Sequence, residues 1–145
     1  MADLRVGLIG LGMMGRHHAR VVRELEGVQL VAVADAFGDP HGVAGDLPLC
    51  GSVDELISQG IDMAVCAVPT GLHEEVGLAL AAAGAHTMVE KPIASTIEGG
   101  VKLAEAFEAA GLEVIPAPTA WLGGGEDDTA GDQSLALFPS QNTAY

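Results

Sequence analysis

Leu4-Arg5-Val6-Gly7-Leu8-Ile9-Gly10-Leu11-Gly12-Met13-Met14-Gly15 is the stretch on which the fold turns. Its first half, apolar but for Arg5 and Gly7, predicts a buried strand. Its second half is G-x-G-x-x-G at Gly10, Gly12 and Gly15, and an Ala- and Val-containing helical pattern follows from Met14 to about Leu25. Strand, glycines and helix in that order make a phosphate-binding turn. Gly10 permits the tight turn out of the strand. Gly12, lacking a Cβ, lets the backbone approach a pyrophosphate. Gly15 lets the helix pack closely on the sheet. With Leu11, Met13 and Met14 between them, these residues form a candidate dinucleotide-binding loop, and the helix end supplies N–H groups and the positive end of its dipole.

The next acidic residue at the expected interval, about 20 residues on, is Asp35. It closes a second β-branched, apolar run, Gln29–Ala34, after Gly27. A carboxylate there accepts hydrogen bonds from an adenosine ribose; the plainer reading is an Asp that starts a turn. Ala36 and Phe37 follow, with no Arg or Lys nearby, so NAD is favoured and NADP less so. The intervening helix carries Arg16, His17, His18, Arg20 and Arg23. These read as a solvated face, with Arg16 near the pyrophosphate as the functional alternative. Adjacent histidines on a helix point different ways, so no metal site is expected.

Further along, 38–46 is too short and broken by Pro40, Gly42 and Gly45 for a second helix, and 47–50 is a weak edge strand. Ser52-Val53-Asp54-Glu55 reads as a capping box opening a short helix to Ile57. Met63–Val68 is a continuous apolar run suited to a central parallel strand. It ends in Pro69-Thr70-Gly71-Leu72-His73, then a helix at 74–83. Ala85–Val89 is a fifth strand, ending in Glu90-Lys91-Pro92. Ser95-Thr96-Ile97-Glu98 reads as another capping box, opening a helix to Ala110, and Leu112–Ile115 is a sixth strand. Gly99 and Gly100 weaken that helix by about 1 kcal/mol each relative to Ala. From 119 to 145 the chain is acidic and Gly-rich, with no Lys or Arg after Lys102, and reads as an irregular tail. The expected organisation is one dinucleotide-binding domain at 1–118 followed by that tail.

The alternation predicts an α/β, doubly wound parallel sheet of about six strands in order 3-2-1-4-5-6, with ligand outside the carboxyl ends of the strands. The composition agrees. In 145 residues, 49% are hydrophobic, enough for one core, and the net charge of −14 opposes nucleic-acid binding. No apolar run reaches the roughly 18 residues of a membrane span. The first residues lack a signal-peptide pattern, so a cytoplasmic location is expected. Cys50 and Cys66 lie in apolar runs and read as buried free thiols.

Gly7–Ala19, Val31–Asp35, Val68–His73 and Val89–Ala94, in this order and spacing, resemble the glucose–fructose oxidoreductase / inositol dehydrogenase (Gfo/Idh/MocA) family. Glu90-Lys91-Pro92 is the most specific element. The resemblance covers about residues 3–115. It implies an NAD(P)-dependent dehydrogenase, an oxidoreductase moving hydride between a secondary alcohol of a sugar or cyclitol and the nicotinamide. It further implies that Pro69, Thr70 and His73 line the nicotinamide half, that Glu90 and Lys91 face the nicotinamide ribose and substrate, that Lys91 is catalytic, and that a cis bond precedes Pro92. Family members continue into a substrate domain that supplies acid–base groups and often a dimer interface. This sequence departs from them there, so the chain is expected to be catalytically incomplete alone; a stand-alone NAD-binding module or sensor is the alternative. The expected partner is a polyol or sugar, once a second domain or chain completes the site, with a homo-oligomer possible and neither nucleic acid nor membrane involved.

Overall fold

The computed structural model describes residues 2–117. The tail expected at 119–145 lies outside the described residues. Six strands form one parallel sheet: β1 (Leu4–Ile9), β2 (Val28–Ala34), β3 (Leu49–Cys50), β4 (Met63–Cys66), β5 (His86–Val89) and β6 (Val114–Pro116), in the order β3-β2-β1-β4-β5-β6. Four α-helices connect them: α1 (Met13–Glu24), α2 (Val53–Ser58), α3 (His73–Ala82) and α4 (Ile97–Ala109). A 3-10 turn at Thr70–Leu72 leads into α3.

Parallel strands need crossovers, and right-handed crossovers place α1 on one face and α3 and α4 on the other. Each face therefore has its own core. Phe107, Leu103, Leu80 and Leu56 pack on one side with Ile9, Cys66 and Val89. Val6, Leu8, Val33, Val65 and Met88 pack on the other with Ala19 and Val22 of α1. Both cysteines are free and buried. Burial pushes the Cys66 thiol up to about 12, so it stays neutral and behaves as a small apolar side chain. Arg5, the one charge in β1, points to the far end of α2. Its guanidinium donates to the Gly60 and Gln59 carbonyls at 2.6 and 2.8 Å, where a cation suits the helix's negative pole.

Some expected boundaries shift, for local reasons. The cap of α4 is Thr96, not Ser95: its hydroxyl accepts from the Gly99 N–H at 3.0 Å. Gly99 occupies the third helical position because α3 crosses there. A Cβ on it would lie 2.8 Å from Oε2 of Glu74, whose other oxygen pairs with Lys102 at 3.2 Å. The sixth strand starts at Val114 because Leu112 still closes α4, its N–H donating to the Phe107 carbonyl at 2.9 Å. It runs through Pro116, which an edge strand tolerates. Ser52 caps α2 as expected, but Glu55 turns back to the Gly51 N–H at 2.8 Å, so the box is not reciprocal.

Candidate active site

The sheet order reverses between β1 and β4, and the loops leaving these two strands diverge. Between them lies a hollow of about 630 Å³. Gly10, Gly12, Met13, Met14, Asp35 and Pro69 line it.

The three glycines stand in three different situations. Gly10 has φ +98°, and a Cβ on it would come within 2.5 Å of the Ala67 backbone. The ends of β1 and β4 touch there, held by the Ala67 N–H donating to Ile9 at 2.7 Å. A Cβ on Gly15 would overlap the Gly10 carbonyl oxygen, so α1 sits down directly on the turn. A Cβ on Gly12 would meet nothing within 4 Å: it would stand in the hollow itself. Gly12 is also the residue before α1, which has no side-chain cap and no acidic residue in its first turn. A 12-residue helix whose first N–H groups face open space beside a glycine fits a diphosphate.

Asp35 holds this turn. Its Oδ2 accepts from the Leu11 N–H at 2.9 Å and its Oδ1 from the Phe37 N–H at 2.8 Å. Leu11 thus commits its N–H to Asp35, and its side chain is in the core, only 1% exposed; it serves the loop and does not line the hollow. Phe37, which no sequence motif marks as a site residue, belongs to the site. It is 93% exposed at the hollow's edge, two residues after Asp35, and an aromatic in that position is the one cue available. Val53, Leu72 and Val76 complete the apolar wall. No Lys or Arg is among the described residues that line it. Arg16 faces elsewhere: with Arg20, Arg23 and His41 it borders a second hollow, about 440 Å³, between α1 and the β2–β3 connection. Asp39 braces that connection, accepting from the Val43 and Ala44 N–H groups at 2.8 Å each.

At the end of β5 the Lys91–Pro92 bond is cis. The Glu90 carboxylate is bound by the His18 ring of α1, which is fully buried, and by the Lys91 N–H at 3.3 Å. The helical pattern gives no sign of this role for His18. The hydrogen bond from His18 is the main reason that Glu90 stays below its ordinary 4.5; burial opposes it, while the charges of His18 and Lys91 add to it. A carboxyl depressed in the folded state adds stability that is present above pH ~4.5 and lost as pH falls through its folded value. The urea midpoint should therefore decline below that pH, and a Glu90→Gln variant should show less of this decline.

His73 does not line the hollow. It is 1% exposed, and its ring bridges two turns: Nε2 lies 2.8 Å from the Val68 carbonyl, and Nδ1 lies 2.9 and 3.2 Å from those of Pro92 and Ile93. The ring ties the β4–α3 turn to the β5–α4 turn. Thr70, in the 3-10 turn before α3, and Glu90 and Lys91, at the end of β5, are likewise outside the hollow's lining. His73→Leu, similar in bulk but without a donor, should cost about 1–3 kcal/mol in chemical denaturation. An unchanged midpoint would show that the bridge contributes nothing.

Parallel order 3-2-1-4-5-6, the glycine turn and Asp35 together define a dinucleotide-binding domain. Comparison with known proteins gives the family. Residues 4–117 match the model of the Gfo/Idh/MocA oxidoreductase family, NAD-binding Rossmann fold. The chain belongs to this family and carries its NAD-binding domain. It is 37% identical over 118 residues to inositol 2-dehydrogenase of Cereibacter sphaeroides, a match spanning 77% of this chain and 35% of that enzyme. An NAD binding oxidoreductase from Klebsiella pneumoniae superposes with TM-score 0.71 at 31% identity, over 81% of this chain and 35% of that one. The WlbA dehydrogenase of Bordetella pertussis, solved with NADH and UDP-GlcNAcA, does so with TM-score 0.72 at 28% identity, over 79% and 37%. The chain thus spans about a third of the length of these relatives. No helix among the described residues is long and apolar enough to cross a membrane, and no His, Cys, Asp and Glu group among them is placed to hold a metal.

Proposed function

We propose that residues 1–118 form the cofactor domain of a cytoplasmic dehydrogenase acting on a sugar or cyclitol, and that NAD is its cofactor in preference to NADP. The observation that carries this is the glycine turn. Gly10 and Gly15 are needed by the protein's own packing, whereas Gly12 opens onto the uncapped start of α1 and is accounted for by a ligand. In this reading the first turn of α1 binds the pyrophosphate. Asp35 accepts from the adenosine ribose, Phe37 and Met13 cover the adenine, and Pro69 and Thr70 lie along the chain toward the nicotinamide. His73 acts indirectly, by bracing the turns on either side. When bound, NAD supplies the hydride acceptor.

Glu90 and Lys91 stand at the end of β5, where the nicotinamide ribose and a polyol would meet. Lys91 would hold a proton at the alcohol oxygen, a task suited to an ammonium on a flexible stem. Positioning of substrate and a second acid–base group would come from a further domain or a second copy of the chain. General acid–base catalysis supplies about 10²–10⁴ in rate and positioning can supply more, so turnover by these residues alone should be negligible.

Calorimetric titration with NADH and NADPH, followed by NADH formation from a panel of inositols and sugars, tests the reading. Binding of NADH ahead of NADPH, without turnover, is expected. Absence of dinucleotide binding would overturn the cofactor assignment. Turnover abolished by Lys91→Ala would overturn the claim of incompleteness, and the oligomeric state would then show whether a second copy completes the site.

A further inference from the structure

We propose that His18 is a positioning residue for the nicotinamide half of the site, acting through Glu90 and Lys91. The proposal rests on the function given above and adds a residue to it. His18 lies on the buried face of α1 with Gly15, Ala19 and Val22, one turn beyond the start of the helix. Because Gly15 has no Cβ, α1 rests directly on the Gly10 turn. That sets His18 down toward the sheet, and its ring reaches the carboxylate at the end of β5, 72 residues on in sequence.

The bond joins the two ends of the site. One partner belongs to the helix whose first N–H groups face the phosphate seat. The other begins Glu90-Lys91-Pro92. An ionised carboxylate only accepts hydrogen bonds, so the ring's Nε2 carries the proton and donates it. Both Glu90 oxygens are then engaged, Oε1 by His18 and Oε2 by the Lys91 N–H. The chain at Lys91 is thereby tied to α1, and the span from phosphate seat to lysine is set by a side-chain bond as well as by the sheet.

Stability alone is a weak reason for this pair. The bond stabilises the ionised Glu90, but a well-packed apolar pair in place of a fully buried ring and a carboxylate that is 15% exposed often does as well or better. Such a couple facing the ligand edge of the sheet is better understood through what it orients. Core packing at this spot would be met by a leucine, which His18 is not.

The test uses the 145-residue chain and two probes, NADH and ADP. ADP reports the adenosine and phosphate seats and lacks the nicotinamide nucleoside. His18→Leu should weaken NADH by about tenfold or more while ADP changes by less than about twofold. His18→Gln, whose amide nitrogen reaches about as far as Nε2, should restore most of the NADH affinity. His18→Asn, polar but too short, should not, and it keeps the test open if the leucine variant fails to fold. Equal loss of both probes in folded variants would mean that His18 only supports α1. Unchanged NADH affinity in the Asn variant would equally overturn the proposal. A parent chain that binds neither probe would instead refute the cofactor assignment on which the proposal rests.

Discussion

Gly12→Val should all but abolish NAD binding and leave the fold intact, while Gly15→Val should do its damage to the fold first, strongly destabilising the domain. The two positions are three residues apart in one motif, and their backgrounds differ completely. At Gly12 the backbone is extended, φ −75° and ψ −159°, which valine adopts without strain. Its Cβ would meet no protein atom within 4 Å. The cost in stability is that of a poorer N-cap, about 1 kcal/mol. The branched side chain would, however, fill the space in front of the first N–H groups of α1, where the proposed site puts the pyrophosphate. Affinity should fall by about 100-fold or more, equivalent to roughly 3 kcal/mol. At Gly15 a Cβ overlaps the Gly10 carbonyl oxygen, a backbone atom fixed at the β1–β4 contact. Neither side can yield, so the loss should reach about 3 kcal/mol or more. That is a large part of the roughly 5–15 kcal/mol a domain has in total. Thermal melts and NADH titrations of both variants separate the cases. NADH affinity retained in Gly12→Val would move the phosphate seat elsewhere, and a parent-like melting temperature in Gly15→Val would mean that α1 can lift off the turn.

That contrast is legible in the sequence because glycine at three fixed intervals, between a strand pattern and a helix pattern, suits a phosphate-binding turn and little else. The strand order is legible for a similar reason: short apolar runs separated by helical stretches leave few topologies once crossovers are right-handed. Caps are less so. Ser95 and Thr96 are both good N-cap residues, and the pattern does not choose between them; in the fold the Thr96 hydroxyl takes the Gly99 N–H. The histidines are not legible at all. His18 sits beside His17 on a basic helix, and His73 opens another helix; the pattern offers a solvated face for one and a helix start for the other. Their partners, Glu90 for His18 and Pro92 and Ile93 for His73, are distant in sequence and meet them only in the folded chain. Periodicity reports which face a residue is on, and it carries no information about which remote carbonyl or carboxylate lies across that face.

Asp35→Asn should both destabilise the turn and narrow the preference for NAD, although it changes one atom and almost no volume. The carboxylate has about four acceptor positions. Two are taken by backbone N–H groups, Leu11 on Oδ2 and Phe37 on Oδ1, and two remain for the ribose hydroxyls. An asparagine has one oxygen. Whichever way the amide is turned, its NH₂ faces either the Leu11 or the Phe37 N–H, donor against donor. The Leu11 N–H lies in the partly buried turn, and leaving such a group unpaired costs about 1–3 kcal/mol. The same loss removes acceptors from the ribose, and hydrogen bonds to a charged group contribute about 1.5–3 kcal/mol, so NADH affinity should drop about 10- to 100-fold. NADPH should behave differently. In the proposed site its 2′-phosphate would meet the Asp35 carboxylate, and no Lys or Arg is among the described residues lining the hollow. Removing the negative charge relieves that repulsion, so NADPH affinity should hold or rise while NADH affinity falls, and the ratio between them should narrow by about tenfold or more. Titration of parent and variant with both dinucleotides, alongside urea denaturation, reads the two effects separately. A variant as stable as the parent would show that the Leu11 and Phe37 bonds are dispensable to the turn. An unchanged NADH-to-NADPH ratio would show that Asp35 is a turn residue alone and that cofactor choice is made elsewhere in the chain.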